Sequence, residues 1–144
     1  MDRLSKIERS WNMSRIRGSD TAPELSVRSV LHKLGYRFRI HSRALPGKPD
    51  VVLPKYRTVI FVHGCFWHRH RGCRFAYTPK TRTRFWTRKF EDNIARDQRA
   101  IHELGNLGWN TLVVWECELR RIEILSRRLD KALRRRGSQP VRRH

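Results

Sequence analysis

The sequence predicts an α/β domain in which a mixed sheet is covered by helices. Three observations lead there. Hydrophobic spacing switches along the chain between the helical and the extended period, in the order helix, strand, strand, strand, helix, strand, helix. Two short apolar runs, Val59-Ile60-Phe61-Val62 and the stretch at 109–115, read as buried strands. The 144 residues, 38% of them hydrophobic, contain no internal repeat and no long linker. They form one domain over residues 1–136, able to bury roughly 70% of the surface its unfolded chain exposes.

Taken in order, residues 1–20 are a basic arm of weak helical character, closed by Gly18-Ser19-Asp20. Either a frayed terminus or an arm that orders on DNA fits that composition. Thr21-Ala22-Pro23-Glu24 reads as a capping box. Val27, Val30, Leu31 and Leu34 then recur at helical spacing until Gly35. Tyr36-Arg37-Phe38-Arg39-Ile40 alternates as a half-buried strand does. Pro46-Gly47-Lys48-Pro49 is a tight connection into a second strand, Asp50-Val51-Val52-Leu53, and Lys55-Tyr56 turns into a third at 57–62. Residues 78–83 are irregular and basic. A long helix spans 84–104 and stops at Gly105, the strand at 109–115 ends on Glu116-Cys117, and a last helix covers 119–136 with Ile122, Leu125, Leu129 and Leu133 as its stripe. Residues 137–144 are expected to be a disordered basic tail.

Lys and Arg number 33 against 13 Asp and Glu, a formal net charge of +20. Such self-repulsion is best tolerated beside a polyanion, and nucleic acid is the first partner to consider. No apolar span approaches twenty residues and no signal peptide is evident, so a soluble, cytoplasmic chain without membrane partners is expected. Three cysteines, an odd number, argue against a disulfide framework and leave thiolate ligation or burial.

The chemistry is concentrated in His63-Gly64-Cys65-Phe66-Trp67-His68-Arg69-His70-Arg71-Gly72-Cys73, which leaves the end of the 57–62 strand. Zn2+ takes four tetrahedral N or S ligands in structural sites. Cys65, His70 and Cys73 with the remote Cys117 would supply them, for an apparent gain on the order of 10 kcal/mol. For Cys117 alone, simple burial is the better reading. Asp50 opens a strand and offers the hard oxygen that Mg2+ requires, although a strand-edge Asp is often only a turn former. Glu24 is a capping residue or a second acid in equal measure. His63 and His68 remain for proton transfer or for hydrogen bonding to phosphate. Asp97 falls in the apolar arc of the long helix, where a carboxylate is costly unless paired. Its partner is either a histidine of the central stretch or an arginine such as Arg96 or Arg99. Phe66-Trp67 and Phe85-Trp86 flank basic sequence. Trp67 and Trp86 are expected to be at least partly exposed, able to stack on bases or to wedge between base pairs.

These residues together resemble the very short patch repair endonucleases, bacterial enzymes that nick DNA beside a T:G mismatch left by deaminated 5-methylcytosine. The resemblance runs over residues 13–133. It is carried by Pro46-Gly47-Lys48-Pro49-Asp50, His63-Gly64-Cys65-Phe66-Trp67-His68, Thr81-Arg82-Thr83-Arg84-Phe85-Trp86, the Asn93/Arg96-Asp97 helix and Val113-Val114-Trp115-Glu116-Cys117. It implies a restriction-endonuclease-like fold of the PD-(D/E)xK type. In that family's terms Asp50 and the Val62 backbone carbonyl would hold Mg2+, with Glu24 holding metal-bound water. His68 would be the base, oriented by Asp97, and His63 would steady the phosphate. Cys65, His70, Cys73 and Cys117 would bind structural Zn2+. Phe66, Trp67 and Trp86 would be the intercalating wedge, Met13 and Ile16 would press from the opposite groove, and Lys89 and Asn93 would read nearby bases. The implied partner is double-stranded DNA with a T:G mismatch, alongside other mismatch-repair proteins, for a monomer associated with the nucleoid.

Two departures stand out. General nucleases of that fold carry an acid and a lysine on the third strand, but Val59-Ile60-Phe61-Val62 has neither, so histidines must substitute. Gly72 also lengthens the segment between His70 and Cys73. The rival readings are a non-catalytic zinc-containing nucleic-acid-binding module and a nuclease of the same fold without mismatch preference.

Overall fold

The computed structural model describes residues 21–137. The arm with Met13 and Ile16, and the tail beyond 137, lie outside the described residues.

Helix α1 (Ala22–Lys33) starts at Thr21, whose Oγ1 accepts the Glu24 N–H at 3.5 Å, with Pro23 in the first turn where no N–H partner is needed. It ends in a Schellman arrangement. Gly35 takes φ +86, its N–H donates to His32 O, and the Tyr36 N–H donates to Leu31 O. The strand expected over Tyr36 to Ile40 does not form. Only Arg39 pairs, in a single antiparallel bridge to Val52. Tyr36 is drawn instead under the last helix, where its hydroxyl donates to Asp130 Oδ1 at 2.6 Å. His41 follows in the left-handed region, at φ +57.

Three strands remain: β1 (Val51–Leu53), β2 (Thr58–His63) and β3 (Asn110–Trp115), in the order β1-β2-β3. A 3-10 turn, Pro54–Tyr56, with Arg57 in the left-handed region, lets β2 return antiparallel to β1. Helix α2 (Thr83–Asn106) carries the chain over to β3, which pairs with β2 in parallel. The sheet is therefore mixed, as expected. Helix α2 is longer than its periodicity suggests. Gly105 lies inside its last turn, and the left-handed residue just beyond it is Gly108, at φ +86. The final helix α3 (Ile122–Gly137) starts later than expected because Glu116–Arg121 forms a 3-10 turn, held by the Trp115 N–H on Glu118 Oε1.

Side chains alternate across the sheet with period two and build two cores. Val51, Leu53, Ile60 and Val114 pack against Val27 and Leu31 of α1 and Leu125, Leu129 and Leu133 of α3. On the other face Val52, Val59 and Phe61 meet Ala100 and Leu104 of α2. The result is a three-layer α/β/α arrangement. Because β1 is antiparallel, its start at Asp50 lies at the same sheet end as the finish of β2 and β3. Every chemical residue of interest leaves that end. Among the described residues, no helix is long and apolar enough to cross a membrane.

Candidate active site and metal centre

Helix α2 is the spine of the site. Trp86, Phe90, Asn93, Asp97, Ala100 and Leu104 recur at helical spacing, so one face runs from an aromatic cluster, past a carboxylate, down to the sheet. The turn before Asp50 lies against this face. A Cβ at Gly47 would come 2.6 Å from the Ala100 Cβ, and its φ of +74 also requires glycine.

A cavity of about 640 Å³ opens at the sheet end, and among the described residues Glu24, Asp50, Asp97 and Glu116 line it against Lys48 and Arg96. In a chain with 13 acids and 33 Lys and Arg, that local reversal of sign marks a place for cations. Asp50 Oδ2 accepts the Val62 N–H at 2.6 Å, which fixes the carboxylate to the end of β2. Burial pushes its carboxyl well above the ordinary range against the pull of that N–H, and the neighbouring Glu24, which shares a hydrogen bond with it, pushes further. Two carboxylates held together in a part-buried site fit a hard divalent cation such as Mg2+. Glu24 is itself buried and pairs with Arg28 at 3.4 Å, while Thr21 accepts its backbone N–H, so its carboxylate serves the cavity rather than the helix cap.

Across the cavity, His68 Nδ1 lies 2.6 Å from Asp97 Oδ2. His63 Nε2 lies 3.9 Å from Asp97 Oδ1, and the two imidazoles stack with centroids 3.9 Å apart. Of the two partners the sequence offers Asp97, the structure provides the histidines. Burial, with the adjacent His68 adding to it, holds His63 down to about 4 despite Asp97, so it is neutral near pH 7.

Cys65, His70, Cys73 and Cys117 bring their ligand atoms within 4.8 Å of one another. His70, rather than His68, joins the sulfurs: its Nδ1 is 3.4 Å from Cys117 Sγ and its ring stacks on Trp115 at 4.2 Å. The donor set suits a tetrahedral soft-ligand ion such as Zn2+. Burial pushes the Cys65 thiol up to about 12 and raises that of Cys117, while backbone amides pull towards the thiolate at Cys65 and Cys73. The Cys117 N–H donates to Cys65 Sγ at 3.4 Å, and those of Phe75 and Ala76 lower the Cys73 thiol. Gly72, at φ +73, absorbs the extra residue in a turn closed by the Cys73 N–H on His70 O.

Phe66 is the hub of the aromatic cluster, with its ring centroid 4.9 Å from Trp67, 5.2 Å from Phe90 and 5.7 Å from Trp86. Trp67 is half-buried, but Trp86 is 1% exposed, against expectation. The central loop folds back over the first turns of α2, pinned by the Arg69 guanidinium 4.0 Å above Phe90, and Phe66, Phe85 and Phe90 enclose the indole. Lys89 lies one turn before Asn93 on α2.

Two features escape a reading of the sequence. Asn93 Nδ2 donates to the Trp67 carbonyl at 3.0 Å, one turn before Asp97 engages the next residue of the loop, His68. Glu116 enters the cavity beside Gly64. Its place next to Cys117, at the end of a strand beside the 57–62 strand, is the signal that could have found it.

Against known proteins, the model of the family described as DNA mismatch endonuclease Vsr matches residues 1–74. Type II nicking enzyme V.XorIIP of Xanthomonas oryzae pv. oryzae is 51% identical over 132 residues, 92% of this chain and 96% of its own. DNA mismatch endonuclease Vsr of Escherichia coli is 48% identical over 128 residues, 89% of this chain and 80% of its own. Type II nicking enzyme V.NmeAIP of Neisseria meningitidis is 41% identical over 133 residues, 92% of this chain and 94% of its own. The expectation of an enzyme rather than a binding module is borne out. The chain belongs to the DNA mismatch endonuclease Vsr family, endonucleases that act on DNA.

Proposed function

We propose that this chain, of restriction-endonuclease-like fold, is a Mg2+-dependent endonuclease that nicks DNA beside the T of a T:G mismatch. The observation that carries the reading is one cavity with the Asp50–Glu24 acid pair on one wall and the His68–Asp97 pair on the other. Asp97 accepts the Nδ1–H of His68, which leaves Nε2 as the acceptor for a proton from the attacking water. Neutral His63 donates a hydrogen bond to the phosphate. Asp50 and the Val62 carbonyl would hold Mg2+, with Glu24 holding its water, and the ion would neutralise charge developing on the phosphate. Cys65, His70, Cys73 and Cys117 would hold Zn2+ as a staple between the central loop and the end of β3.

Mismatch selection falls to the aromatic cluster. Phe66 and Trp67 would enter the stack where a mismatch makes unstacking cheapest. Trp86 buttresses them, and its buried indole N–H lacks a partner among the described residues. Lys89 and Asn93 would face nearby bases, and the arm with Met13 and Ile16 the opposite groove. The partner is mismatched duplex DNA in the bacterial cytoplasm, engaged by a monomer that hands its nick to other repair proteins.

The test is a separation of binding from cutting. Asp50→Ala and His68→Ala should hold a T:G duplex with affinity near that of the unmodified chain while nicking falls by about 10²-fold or more. Normal nicking by either variant contradicts the assignment. Trp67→Ala should keep cutting but lose preference for T:G over T:A, and preference retained in full would remove the wedge.

A further inference from the structure

We propose that Arg28, Arg43 and Lys48 form a phosphate pocket that holds the DNA backbone phosphate next to the one at the acid pair. Among the described residues these three line a second cavity, of about 430 Å³, together with His41 and Ser42. Glu24, Lys48 and Asp50 line both this cavity and the one described above, so the two are neighbours across the acid pair. The sign of the lining reverses between them. The first sets four acids against Lys48 and Arg96, and the second sets three permanent cations against Glu24 and Asp50. A divalent cation suits the first and an anion the second.

The donors match a phosphodiester. Guanidinium forks and an ammonium make charge-assisted hydrogen bonds to phosphate oxygens, and the Ser42 hydroxyl and His41 imidazole offer neutral ones. Arg28 is the fixed member. Its side chain is 11% exposed and pairs with Glu24 at 3.4 Å, which ties the pocket to the acid wall. That ion pair alone would account for Arg28, but not for two further cations around the same cavity. Arg43 and Lys48 are exposed, on the segment that leads into Asp50. His41 and Lys48 both take left-handed backbone, at φ +57 and +49, a conformation uncommon away from glycine. Strain of this kind persists where it positions a site, and both residues line the pocket.

Successive phosphates of one strand are spaced by about 3.4 Å along the duplex axis. A strand with one phosphate at Asp50 therefore brings the next within reach of the adjoining cavity. Gripping that neighbour fixes the register of the strand over the acid pair without reading any base. The pocket as a phosphate site stands apart from the proposed function, whereas its place beside the nicked bond rests on it.

The test measures binding to T:G and T:A duplexes over a salt series, without added Mg2+. Arg43→Gln and Lys48→Gln, both at exposed positions, should each weaken the two duplexes alike, by about tenfold, and lower the salt slope by about 0.9. In a second arm the strand to be nicked carries one uncharged methylphosphonate linkage, moved stepwise past the site beside the mismatched T. Neutralising a linkage adjacent to that site should cost the unmodified chain about tenfold in affinity, with no variant required, and cost Arg43→Gln nothing further. Variants that bind both duplexes with an unchanged slope would overturn the pocket. So would a loss at the adjacent linkage that is equal in Arg43→Gln and the unmodified chain. Coupling confined to a linkage several steps away would overturn its place beside the acid pair. A chain that shows the coupling but never nicks in Mg2+ would uphold the pocket and contradict the proposed function.

Discussion

A carboxylate in the apolar arc of a helix is costly unless something pairs with it, and Asp97 is paired by two stacked imidazoles. That cost made Asp97 legible in the sequence, as close spacing made Cys65, His70 and Cys73 legible. The burial of Trp86 was not. Which of two adjacent aromatics faces outward depends on the path of the 64–82 loop, and periodicity carries no record of it. The same limit hid the Tyr36–Asp130 hydrogen bond, which joins residues 94 positions apart. This pair gives a prediction at the residue scale. Burial, with Asp130 adding to it, pushes the Tyr36 hydroxyl up to about 12, and the Tyr36 hydroxyl is the main cause that holds Asp130 below its ordinary value. The raised Tyr36 contributes stability that is complete below pH 10 and lost between 10 and 12. The lowered Asp130 contributes stability that is present above 3.8 and lost as pH falls further. Tyr36→Phe should therefore melt a few degrees below the unmodified chain on the plateau between, and the gap should close at both ends of a pH series followed by circular dichroism.

At the scale of elements, helix α2 ties the aromatic and the imidazole parts of the central loop together. Its residues Asn93 and Asp97, one turn apart, hold Trp67 and His68, which are adjacent in the loop. With Trp67 as the proposed wedge and His68 as the proposed base, a shift of the first would reach the second through this one helix. Asn93→Ala should lower kcat about 10-fold or more on a T:G duplex, on the scale of a positioning loss. Duplex affinity should change less. Single-turnover nicking with a parallel binding titration separates the two, and a loss confined to affinity would assign Asn93 to base reading alone. The helices and three strands were readable because their apolar periods were long or their stop signals strong. The segment from Tyr36 to Ile40 misled because alternation over five residues is satisfied equally by one buried tyrosine and a single bridge to Val52. The site was legible as a set of residue types. Its division into an acid wall, an imidazole wall and a sulfur staple depends on which sheet end the strands share, and that is tertiary.

The whole molecule is a basic body, of net charge +20, around an acidic cavity. Phosphate contacts should dominate affinity for any duplex, with six to ten of them weakening binding by about 10³ to 10⁵ between 50 and 200 mM salt. On the function proposed above, a preference for T:G would come from stacking and should survive. In anisotropy titrations the salt slopes for T:G and T:A duplexes should be parallel, and convergence of the two lines at high salt would show selectivity to be electrostatic. The sharpest single measurement is strand nicking by the purified chain on a labelled T:G duplex, beside its T:A control, in Mg2+ and in EDTA. One nick beside the mismatched T, in Mg2+ only and on T:G in strong preference to T:A, is the predicted result. No nick in Mg2+, or equal cutting of both duplexes or in EDTA, would contradict a metal-dependent centre coupled to a mismatch wedge.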